Sequence, residues 1–118
     1  MNVDELTQLA VDALDDLKAV DISVIDVRGK SNVTDVMVVA TGTSARHVKS
    51  LANNVSDKMK ETGERPLGME GEDVGEWVLV DLADVVVHVL QAEMRDFYQL
   101  EKLWETEPAN RSKASNDK

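Results

Sequence analysis

Apolar residues recur along this chain at two spacings, and the change from one to the other marks where one kind of element gives way to the next. Leu6, Leu9, Ala10, Ala13, Leu14 and Leu17 fall at i, i+3, i+4, i+7, i+8 and i+11, which is one face of an amphipathic helix over about residues 3 to 19. Asn2 and Glu5 have the spacing of a capping box at its start. Asp21 to Val27 is rich in β-branched residues, and Arg28 to Asn32 supplies turn formers before another β-branched run, so a hairpin is expected. Val36 to Ala40 is continuously apolar, the mark of a central strand covered on both faces. Ser44 suits the N-cap of a helix whose inner face is Val48, Leu51, Ala52, Val55 and Met59, and Gly63 suits its C-terminal cap.

The second half repeats the theme. Leu67 to Met69 reads as a short edge strand after Pro66, followed by a glycine-rich turn to Gly75. Trp77 and Leu79 alternate with Val78 and Val80, so the two pairs point to opposite faces of a strand. After a break at Asp81 to Asp84, Val85, Val87 and Val89 alternate with Val86 and His88. Met94, Phe97, Leu100 and Trp104 then approximate a helical stripe that should end near Glu105. Residues 106–118 contain no large apolar side chain, and a disordered tail is expected there. The order helix, two strands, helix, short strand, two strands, helix predicts one α/β domain over residues 1–105, a mixed sheet flanked by helices.

Composition narrows the function. The 118 residues include 13 basic and 23 acidic side chains, a net charge of -10, which opposes direct or sequence-specific contact with nucleic acid and favours a basic protein partner. There is no cysteine, so disulfides, thiolate nucleophiles and zinc-cysteine sites are excluded. No apolar stretch reaches the roughly 18 residues of a membrane span and no basic and apolar leader opens the chain, so a cytoplasmic protein that does not enter a membrane is expected.

Candidate chemistry is sparse. Gly29-Lys30-Ser31 resembles the end of a phosphate-binding loop, but Val24 stands where that motif needs its first glycine. Gly68, Gly71 and Gly75 do not match the dinucleotide fingerprint. Thr41-Gly42-Thr43-Ser44 followed by Arg46 and His47 has the form of an anion-binding helix start and equally that of a plain capped turn, the commoner arrangement. Asp81, Asp84 and His88 have the chemistry of metal ligands, yet aspartates flanking a two-residue turn more often serve the turn. Trp77 and Leu79 are either core or contact.

Several short stretches together carry a family resemblance. Ala40-Thr41-Gly42-Thr43-Ser44-Ala-Arg46-His47, Glu70-Gly71, Glu76-Trp77-Val78-Leu79-Val80-Asp81, Asp84-Val85-Val86-Val87-His88-Val89, Arg95, Phe97-Tyr98 and Leu100-Glu101-Lys-Leu103-Trp104 look like the ribosomal silencing factor family, also called Iojap-related. The likeness runs from about Leu6 to Glu105. Ala83 departs from it, standing where the family often has glycine, and Leu90 stands where phenylalanine or methionine is common.

The resemblance implies a nucleotidyltransferase-like topology without the catalytic carboxylates, a homodimer when free, and no enzymatic activity or cofactor. It also implies binding to the large ribosomal subunit through its fourteenth protein, which blocks joining of the small subunit and represses translation. Under it, Trp77, Leu79, Asp81, Asp84, His88, Arg95, Tyr98 and Glu101 are the expected partner-binding residues, with aromatics and arginine as anchors and acids as rim and steering contacts. The alternative is a nucleotide-binding or nucleotidyltransferase-like enzyme using Gly42 to His47; the isolated Asp57 and the later Asp81 and Asp84 are a poor match for its paired metal ligands.

Overall fold

The computed structural model describes residues 1–30 and 34–98. Helix α1 (Val3–Asp16) begins at a reciprocal capping box. The Glu5 backbone N–H donates to Asn2 Oδ1 at 2.8 Å, and the Asn2 N–H donates to Glu5 Oε1 at 3.0 Å. Such a cap stabilises a helix by about 1 kcal/mol. The helix stops three residues before the expected end near residue 19. Lys18 enters the left-handed region (φ 62), its N–H donating to Asp15 O at 2.9 Å while the Ala19 N–H reaches Leu14 O at 3.0 Å. This is a Schellman stop built on a lysine where glycine is usual, and it takes Leu17 out of the helix that its apolar spacing suggested.

Strand β1 (Val20–Asp26) pairs antiparallel with β2 (Val36–Gly42), as a hairpin should. Strand β2 then feeds α2 (Ala45–Glu61), with Ser44 as N-cap, Thr62 as C-cap and Gly63 at φ 89 just beyond it. The short β3 (Gly68–Glu70) forms one sheet edge, one residue later than its apolar start suggested. Strands β4 (Trp77–Asp81) and β5 (Val85–Gln91) form a tight antiparallel hairpin, and α3 (Ala92–Tyr98) follows directly. The sheet order is β1-β2-β5-β4-β3, with β2 and β5 parallel and the other neighbours antiparallel. This is the expected mixed α/β fold, a sheet flanked by helices.

All seven residues of β2 are buried because helices cover the sheet on both sides at that strand. On one side α1 and α2 pack through Leu6, Ala10, Leu14, Val48, Leu51 and Val55 onto Val36, Val38, Ala40, Val78, Val80, Val85, Val87 and Val89. On the other, Met94 of α3 packs with Val27, Met37, Val39 and Leu90. The strand alternation read from the sequence separates the two faces, and the structure assigns them: the even members of β4 and the odd members of β5 face the two long helices.

Strand β1 carries a bulge between Val20 and Ser23, where Asp21 has φ 50. The bulge turns the Asp21 carbonyl so that it accepts from Arg95 Nη1, tying the sheet edge to α3. Among the described residues, no helix is long and apolar enough to cross a membrane. The expected helix end near Glu105 and the tail beyond it lie outside the described residues.

Candidate functional site

The two sheet faces are not covered equally. Because alternate residues of a strand point to opposite sides, Trp77, Leu79 and Asp81 share the face of β4 that α1 and α2 do not occupy. The register sets Trp77 opposite Leu90, Leu79 opposite His88 and Asp81 opposite Val86. On the far side of β5, His88 lies beside Val39 of β2; on the far side of β4, Leu79 lies beside Glu70 of β3. Trp77, Leu79, Asp81 and His88 are each half-buried, and Glu70 is exposed. Among the described residues, the result is an apolar strip with carboxylates along one margin, on the side of the sheet opposite the long helices.

The indole of Trp77 is held in place. Its Nε1 donates to Nδ1 of His88 at 3.0 Å, with the ring centroids 5.9 Å apart and tilted by 54°. An indole N–H can only donate, so this His88 nitrogen carries no proton. Burial favours the same neutral ring, pushing the His88 pKa from 6.5 down to about 4. The bond joins the two strands diagonally across the face, since the residues directly opposite are Leu90 and Leu79.

The other expected residues divide between this face and its supports. Asp81 Oδ1 accepts from the Ala83 N–H at 2.8 Å, so one carboxylate oxygen builds the turn while the side chain borders the face. Asp84 lies exposed in that turn, and its carbonyl accepts from the N–H groups of Asp35 and Val36 at 2.9 and 3.1 Å. Arg95 is turned inward rather than presented as an anchor: its guanidinium donates to Thr41 Oγ1 at 2.9 Å and Ser23 Oγ at 3.0 Å as well as to the Asp21 carbonyl. A bulged strand with a free carbonyl and two hydroxyls offered it better hydrogen bonds than water at the surface. Tyr98 closes α3, and Glu101 lies outside the described residues. Glu70 was missed because its neighbourhood reads as turn; the half-buried Met69 between exposed Gly68 and Glu70 is the period-two signal that places it.

The anion-binding alternative meets a loop in which two of the backbone donors are already engaged. The Thr43 N–H donates to His47 Nδ1 at 2.9 Å, and the His47 N–H donates to Ser44 Oγ at 3.0 Å. His47 Nε2 in turn donates to the Leu17 carbonyl at 2.7 Å, joining the end of α1 to the start of α2. Gly42 serves close packing: a Cβ there would lie 2.6 Å from Val48 Cγ2 and 2.9 Å from the Val48 backbone nitrogen. Among the described residues, no group of three or more His, Cys, Asp or Glu is placed to hold a metal ion.

Comparison with known proteins gives a consistent answer. A family model described as "Ribosomal silencing factor during starvation" matches residues 1–118. The ribosomal silencing factor RsfS of Chromobacterium violaceum is 48% identical over 104 residues, covering 88% of this chain and 85% of that one. The mouse protein named mitochondrial assembly of ribosomal large subunit protein 1 is 36% identical over 87 residues, covering 71% of this chain and 38% of its own length. A crystal structure of a Chromobacterium violaceum protein superposes with a TM-score of 0.87 at 46% identity, covering 92% of each chain. The chain belongs to the ribosomal silencing factor family.

Proposed function

We propose that this chain silences translation by binding the large ribosomal subunit through its fourteenth protein and blocking the approach of the small subunit. The observation that carries the reading is the open strip of Trp77, Leu79 and His88 bordered by Asp81 and Glu70. Aromatic side chains held in one orientation lose little entropy on binding, and such residues dominate interface energetics. The net charge of -10 favours encounter with a basic protein, and the acidic margin gives register and steering. Family membership supports the ribosomal target, and the name of the mouse relative refers to the large subunit in particular.

Asp84 and Glu101 add to the acidic side, Tyr98 is a second aromatic anchor, and Arg95 contributes by holding α3 against the sheet. The action is steric, in the cytoplasm, and needs neither catalysis nor a cofactor. The free chain is a homodimer that covers the same face. An azide-bearing photocrosslinker at Leu79 tests both partners at once: illumination should yield a product with the fourteenth protein on large subunits and a chain dimer in free solution. Crosslinking to another ribosomal protein, or a free chain that stays monomeric, contradicts the corresponding half of the proposal.

A further inference from the structure

The chain has two histidines, and their rings are used differently. His47 has both nitrogens engaged within the fold, Nδ1 by Thr43 and Nε2 by the Leu17 carbonyl. His88 has only one engaged. Its Nδ1 accepts from the Trp77 indole, which places the remaining proton of the neutral ring on Nε2. Among the described residues nothing accepts from that Nε2–H, although the ring is partly exposed in the middle of the open face. A donor so placed must find water or a partner oxygen, and dry apolar neighbours make the second worth more.

We infer that His88 is a specificity-determining donor, its tautomer fixed by Trp77 so that Nε2–H is presented to a neutral oxygen, a main-chain carbonyl or an amide, on the bound protein. The acceptor is neutral because Asp81 and Glu70 share this face and repel an added carboxylate or phosphate. Trp77 therefore contributes twice, as apolar surface and as the group that selects which histidine nitrogen meets the partner. Nothing is transferred, and the ring stays neutral throughout. The inference rests on the ribosomal reading above and specifies one contact within it.

Two substitutions separate the roles of the two nitrogens. His88→Asn keeps an oxygen near the Nδ1 position to accept from Trp77 but has nothing at Nε2, whereas His88→Gln can return an amide donor near Nε2. Affinity for purified large subunits is measured by co-sedimentation, and the Trp77 indole proton resonance reports whether each variant keeps the native face. H88N should bind about tenfold more weakly, the usual cost of stranding one acceptor at a dry interface, and H88Q should recover part of the loss.

Wild-type affinity in H88N overturns the inference, as does an H88Q as weak as H88N with the indole resonance unmoved. Nitrogen NMR of the wild-type ring gives an answer that needs no variant: a predominant Nδ1–H tautomer also overturns it, and the Nε2–H tautomer supports it. Failure of the wild type itself to sediment with large subunits sinks the ribosomal reading and this contact with it. Normal wild-type binding with an indifferent H88N sinks the contact alone.

Discussion

Ala83 carries a φ of 76°, a left-handed conformation in which its Cβ crowds the neighbouring carbonyl, and it does so because the Asp81 carboxylate accepts from its N–H and closes the turn. Replacing it with glycine removes that crowding. Ala83→Gly should raise stability by about 1 kcal/mol in chemical denaturation, the strain relieved being larger than the backbone entropy added to the unfolded chain. Unchanged or lower stability would show that the turn is relaxed with alanine.

His88 makes an opposite kind of claim, about protons. Above pH about 6.5 neither the folded nor the unfolded chain binds a proton at this ring. As pH falls from 6.5 towards about 4, the unfolded chain takes up a proton that the folded one refuses, so stability declines with falling pH. The loss approaches roughly 3 kcal/mol and levels off below about pH 4. Denaturation of wild type and His88→Asn at matched pH values isolates the term: the wild type should lose stability faster through this window, and parallel curves would refute the buried neutral ring.

Gly42 decides how closely α2 approaches β2. Since an added Cβ would meet the Val48 backbone as well as its side chain, Gly42→Ala should destabilise by about 1–3 kcal/mol through displacement of the helix start. A loop kept open for a phosphate would instead accept alanine with little change in denaturation midpoint, which is the contrary result. Elements of this kind were largely legible in the sequence.

The capping box at Asn2, the continuous apolar run of β2 and the alternation in β4 and β5 each follow from local residue order. The parallel pairing of β2 with β5 was not legible, because nothing local in Val36 to Gly42 identifies Val85 to Gln91 as its neighbour. The end of α1 was overrun because Leu17 continues the apolar pattern while the backbone turns at Lys18. At the candidate site, the alternation showed that Trp77 and Leu79 share a face. The Trp77–His88 bond and the inward turn of Arg95 depend on register and a bulge that only the assembled sheet reveals.

For the molecule as a whole, α1 and α2 pack over one face of the five-stranded sheet, while among the described residues α3 packs at one end of the other, which is the face proposed to meet a partner. That asymmetry unites the family's role with the chemistry of this chain. Under the proposed steric action, a small acidic protein with this aromatic strip represses translation by occupying a site, without a catalytic group.

The most direct test is a gradient experiment in which large subunits are incubated with the chain before small subunits are added, comparing wild type with Trp77→Ala after both are shown to be folded. The account predicts that wild type stays with free large subunits and prevents their joining. It predicts that Trp77→Ala, having lost both the indole surface and the group that orients His88, permits joining at concentrations where wild type blocks it. Unimpaired joining in the presence of bound wild type, or full blocking by folded Trp77→Ala, would contradict it.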